Sequence, residues 1–79
     1  NGFAALVFDG DGAAVTAGAE GIVSVDLVHL PSTGTAAARY DARPGTVVLL
    51  RPDQHVCARW RAPTAADVAA ALRRALALH

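Results

Sequence analysis

The stretch Thr46-Val47-Val48-Leu49-Leu50 is apolar at every position after the threonine. Successive side chains of a strand point to opposite faces of the sheet, so this one has no face to offer to water. It needs cover on both sides, as in a sheet with helices layered above and below. The next segment supplies its neighbour. Arg51-Pro52-Asp53-Gln54 has the residues of a tight turn: Pro52 holds φ at the second turn position and Asp53 tolerates the third. His55 to Trp60 then returns as an antiparallel strand, with Val56, Ala58 and Trp60 expected on one face.

Three further segments fill in the first half of the chain. Phe3 to Phe8 is a short apolar strand stopped by Asp9-Gly10-Asp11-Gly12. Ala13 to Ala19 suits a helical turn or two, but Val15 is its one substantial apolar side chain, and Gly18 and Gly21 interrupt it. That predicts a short, weakly held helix, leaving part of one sheet face poorly covered. Ile22 to Leu30 reads as a strand rich in β-branched residues. Pro31 to Gly34 ends it, and Thr35 to Tyr40 suits a short helix with Thr33 or Thr35 as the cap.

The last element has the clearest pattern. Pro63 precedes Thr64-Ala65-Ala66-Asp67, which has the form of a capping box with Asp in place of the preferred Glu. Val68, Ala71, Leu72, Ala75 and Leu76 then recur at helical spacing and make one apolar stripe. Arg73 and Arg74 lie in the C-terminal half, where positive charge suits the helix dipole.

The resulting order is β-α-β-α-β-β-α, an α/β string with a central mixed sheet and a reduced first helix. The first two strands should be parallel and joined by a right-handed crossover. This is the thioredoxin core order, a string that other α+β folds can share, and at 79 residues, 1–79, it makes one domain. Thioredoxin chemistry needs two cysteines where the first strand meets the first helix. Asp9 to Ala13 occupies that junction without sulfur, and Cys57 is the single cysteine of the chain. Redox members of the fold also place a cis-proline before the third strand, where this chain has Gly45, with Pro44 one residue earlier.

From Tyr40 to Trp60 the sequence resembles the C-terminal domain of FAD-dependent aromatic-ring hydroxylases, the phenol and hydroxyphenylpropionate hydroxylase type of class A flavoprotein monooxygenase. The features that carry the resemblance are Tyr40, Pro44-Gly45, the strand Thr46 to Leu50, Arg51-Pro52-Asp53, His55-Val56 and the helix Val68 to Leu76. The opening Gly2 to Val7 is similar to the first strand of that domain, and the match is weakest over residues 9–38. Gln54 stands where Gly is common in such turns. The resemblance implies a redox-inactive thioredoxin-like domain at the C-terminus of a longer flavoprotein. FAD, NAD(P)H and the phenolic substrate belong to the preceding domains of such a parent, which are the expected partners, together with a homodimer contact. No cofactor residue is expected in this chain, since Asp9-Gly10-Asp11-Gly12 lacks the spacing of a dinucleotide fingerprint.

Each remaining candidate has a plain structural reading. Cys57 is expected as a small apolar side chain on the sheet, not a reactive thiol. His55 is a conceivable general base with Asp53 bracing it, but no nucleophile is placed near it by sequence. Arg51, Arg59 and Arg61 would form an anion site if they shared a face. Trp60 reads as a core or interface anchor. His29, His55 and His79 show no metal-ligand spacing, and no catalytic, cofactor-binding or metal residue is expected.

All seven basic residues are Arg and lie after residue 38, whereas Asp9, Asp11, Glu20 and Asp26 fall before it. A polyanion partner is one reading of that asymmetry, but no basic stripe interleaved with aromatics supports nucleic acid. No apolar run approaches the ~18–20 residues of a membrane span. A lone cysteine fits a reducing, cytoplasmic setting. The absence of Met means that Asn1 is not expected to be a native start. The competing functional reading is a stand-alone, redox-inactive thioredoxin-like binding module.

Overall fold

The computed structural model describes residues 2–77. Along the chain run β1 (Phe3–Phe8), α1 (Ala13–Ala19), β2 (Val25–Leu30), α2 (Thr35–Tyr40), β3 (Val47–Leu50), β4 (Val56–Trp60) and α3 (Ala65–Ala77). The strands form one sheet in the order β2-β1-β3-β4. β1 is parallel to β2 and antiparallel to β3, which is antiparallel to β4. This mixed four-stranded sheet with three helices is the α/β class expected, and it is compatible with a small thioredoxin-like domain.

The two-faced character of β1 and β3 organises the core. Phe3, Ala5, Val7, Val47 and Leu49 point to one face and join Val15, Ala19, Val68, Ala71, Leu72 and Ala75 from α1 and α3. Leu6, Phe8 and Val48 point to the other and meet Ala37 of α2. Phe8 also packs on Tyr40, with ring centroids 6.3 Å apart and tilted by 54°. Both faces therefore receive the cover that the apolar strands require. No described helix is long and apolar enough to cross a membrane.

The cap of α3 forms as the sequence suggests. Thr64 N–H donates to the Asp67 carboxylate at 2.9 Å, and Asp67 N–H donates to Thr64 Oγ1 at 3.2 Å. The shorter Asp closes the box as Glu would. The cap expected for α2 does not form. Gly34, with φ 98°, holds the N-cap position without a side-chain hydrogen bond, and neither Thr33 nor Thr35 serves.

α1 corrects a larger expectation. It is short, but it is not weakly held. Gly18 lies inside the helix and is buried. A Cβ built there would stand 2.6 Å from the Ala65 carbonyl oxygen and 2.7 Å from Val68 Cβ. Glycine is thus the contact surface that lets α1 settle onto the start of α3, not a break in the helix. The chain then turns with Ile22 and Val23 donating their N–H groups to the Ala19 carbonyl. Those bonds delay β2, expected from Ile22, until Val25.

The thinly covered face is consequently the other one, beneath the six-residue α2. There Ala4 and Leu50 are only half-buried, while Val28 and Val56 are 40% and 50% exposed. A register shift at Leu49/Leu50 sets Val56 opposite Leu50 and Ala58 opposite Leu49, with Cys57 as the extra residue. This β-bulge turns Val56 away from the face of Ala58 and Trp60, where unbroken alternation would have placed it.

Replacing Gly18 with Ala tests the α1–α3 contact. Helix propensity alone favours Ala by about 1 kcal/mol. The clash with Ala65 and Val68 should reverse that sign and destabilise the domain by about 1–3 kcal/mol, read as a lower denaturant midpoint. An unchanged or raised midpoint would refute the close approach.

Candidate functional site

The junction of β1 and α1 is built from turn chemistry. Asp9 adopts a left-handed conformation with φ 55°, which Asp tolerates better than most residues. Its N–H donates to the Leu30 carbonyl, and its carboxylate accepts the N–H and hydroxyl of Ser32, tying the ends of β1 and β2 together. Asp11 Oδ1 accepts the Ala13 N–H at 2.9 Å at the start of α1. Gly45, before β3, donates its N–H to the Phe8 carbonyl at 2.7 Å. A cleft of about 200 Å³ lies between these segments, lined in part by Gly10, Asp11, Gly12, Gly45, Ala62 and Pro63. Its one carboxylate, Asp11, is occupied with the Ala13 backbone, and the described peptide bonds are all trans.

The hairpin turn forms a second polar group. Arg51 accepts the Gln54 N–H at 2.8 Å and donates its own N–H to the His55 carbonyl at 2.9 Å. Gln54 takes the left-handed position with φ 68°, which explains the preference for Gly in such three-residue loops. Asp53 gathers the local donors. It accepts the His55 N–H at 3.1 Å, pairs with the Arg51 guanidinium, and lies 3.2 Å from His55 Nδ1. His55 is therefore braced by Asp53, but its ring is exposed at the turn tip.

These bonds hold the Asp53 carboxyl at about 2, below its usual 3.8. The His55 backbone N–H is the main cause, and desolvation works against it. The His55 ring and Arg51 guanidinium add to the lowering. The sign follows directly. The turn's electrostatic support is complete above the ordinary carboxylate range and is lost as pH falls through about 2. A carboxyl-carbon NMR titration should therefore place the Asp53 midpoint near pH 2; a midpoint at the ordinary carboxylate value would contradict the turn geometry.

Cys57 sits at the bulge, half-buried against the main core. Burial pushes its thiol up from the ordinary value, so little thiolate is present at neutral pH. The native chain should react with a mild thiol reagent more slowly than the denatured chain, as read by mass spectrometry. Rapid modification of the native state would overturn this assignment.

The arginines regroup. Arg51 is held in the turn by Asp53 and does not join Arg59 and Arg61. Arg43, which sequence reasoning left out, takes its place. Arg43, Arg59 and Arg61 line a cleft of about 150 Å³ with Asp41, Thr46 and Trp60. Trp60 is half-buried and packs against the main core. His29 is exposed on β2, and His79 lies outside the described residues. Among the described residues, no group of three His, Cys, Asp or Glu side chains could hold a metal ion.

No protein family matches the chain, and no curated protein does. Among solved structures, a ternary complex of aklavinone-11 hydroxylase with FAD and aklavinone is similar over 98% of this chain, with 27% sequence identity and a TM-score of 0.69. The similar region is 17% of the hydroxylase chain. The chain thus spans a small part of the protein it resembles, and over nearly its whole length it is similar to one portion of a hydroxylase solved with FAD bound.

Proposed function

We propose that this chain is the C-terminal, thioredoxin-like domain of an FAD-dependent aromatic-ring monooxygenase, with a structural and docking role and no catalysis of its own. The single observation that carries this reading is the similarity of 98% of the chain to 17% of aklavinone-11 hydroxylase. In this reading the parent hydroxylates a phenolic substrate with NAD(P)H and O2 in the cytoplasm, and the preceding domains hold FAD. The side chains described above support a docking role. The acidic groups at the β1–α1 junction serve the backbone and Ser32, and burial raises the Cys57 thiol above its ordinary value.

The surface that docks is the half-covered face of the sheet. Ala4, Val28, Leu50 and Val56 form its apolar part, beside the end that α2 closes. Apolar surface of this kind, rimmed by charge, is what a domain interface covers. The flavin-binding body of the same protein is the occupant that fits the partial match, and a second subunit is the further contact in this reading.

The test is to express the intact reading frame with and without residues 1–79. A long frame that encodes an upstream FAD domain, and whose product loses stability when Val28→Glu or Val56→Glu is introduced, supports the proposal. In the isolated 79-residue chain the same substitutions should change the unfolding free energy by no more than about 0.5 kcal/mol, because both side chains are already exposed. A short independent frame would overturn the proposal in favour of a stand-alone binding module.

A further inference from the structure

We infer that the cleft between the end of α2 and the end of β4 is an oxyanion site, taking one phosphate- or carboxylate-sized group on Arg43, Arg59 and Arg61. Three arginines line it from different places in the chain. Arg43 comes from the loop after α2, Arg59 from β4, and Arg61 from the residue just beyond that strand. Their convergence is made by the fold, not by a run of basic sequence.

None of the three forms a salt bridge among the described residues, although Arg51 does. Arg59 Nη2 instead donates to the Asp41 backbone carbonyl at 3.4 Å, leaving its charge uncompensated. The buried wall adds a further donor. Thr46 is 2% exposed and lines the cleft, and its Oγ1 accepts the Arg43 N–H at 3.0 Å. Its own hydroxyl proton is left to donate. The volume of about 150 Å³ suits a single oxyanion group and is too small for a nucleotide.

Two features oppose an anion. Asp41 brings one carboxylate, so three guanidiniums and one carboxylate leave a formal charge of +2. The carbonyls at the end of α2 are the other, but those of Ala37 and Ala38 already accept the N–H groups of Ala42 and Asp41. The positive charge prevails. Guanidinium forks also match the geometry of carboxylate and phosphate oxygens. This inference stands independently of the parent enzyme.

The experiment is a titration of the 15N-labelled 79-residue chain with inorganic phosphate, and separately with acetate, at ionic strength held constant with chloride. Saturable shifts should appear at Thr46 and at the side chains of Arg43, Arg59 and Arg61, and phosphate should raise Tm above that in matched chloride. Saturation with phosphate alone assigns the site to a phosphate group; saturation with acetate as well admits a protein carboxylate. Arg59→Ala and Arg61→Ala should each weaken binding by roughly three- to tenfold, and Arg61→Lys by less. Arg73→Ala, on the exposed side of α3, should leave it unchanged. Linear shifts shared equally by Arg73 and Arg74, or unaltered binding by Arg61→Ala in a variant with wild-type amide dispersion, would overturn the inference.

Discussion

The approach of α1 to α3 at Gly18 decides how the main core closes. β1 and β3 present Phe3, Ala5, Val7, Val47 and Leu49 to one face, and these side chains must be covered to the exclusion of water. α1 offers Val15 and Ala19, too little apolar volume to do this from a distance. It succeeds because a residue without Cβ lets its backbone descend onto Ala65 and Val68. The small helix and the long one then act as a single layer. Burial at Val15, Val68 and Leu72, each 0% exposed, is the result. Close packing in so small a domain leaves little tolerance for added volume at the contact.

Strand order turns an uneven sequence into a polar molecule. The acidic first half supplies β2 at one edge of the sheet, and the arginine-bearing second half supplies β4 at the other. Across the thinly covered face, Asp26 therefore stands with Val28 on one border strand and Arg59 on the opposite one, with Ala4, Leu6, Val48 and Leu50 between them. Opposite charges therefore stand at the two borders of the apolar strip. The same topology brings Arg59 and Arg61 beside Arg43, a grouping that depends on where α2 ends relative to β4.

Local chemistry was legible in the sequence, and long-range geometry was not. The Thr64–Asp67 box, the Arg51–Gln54 turn and the two-faced Thr46–Leu50 strand are each encoded by neighbours within a few residues, and the structure contains all three. Gly18 was misread as a helix break because its role is defined by Ala65 and Val68, nearly fifty positions away. Val56 was assigned to the wrong face because a bulge interrupts the period of two without a Gly or Pro to announce it. Arg51 was grouped with Arg59 and Arg61 because the three are near one another in the sequence. Asp53 claims Arg51, and only the tertiary fold brings Arg43 to the others.

The uneven cover of the two faces follows from helix length. A helix rises about 1.5 Å per residue, so the 13-residue α3 is about 20 Å long and the six-residue α2 about 9 Å. A six-residue strand such as β1 extends about 20 Å. α3 can therefore span the full strand, whereas α2 can close only one end of its face, and it closes the end at Phe8. Leu6 and Val48 are still buried there, which keeps the sheet intact, but the row through Ala4, Leu50 and Val56 lies beyond the reach of α2. A short second helix thus closes the sheet at the Phe8 end and leaves the row through Ala4, Leu50 and Val56 only partly covered.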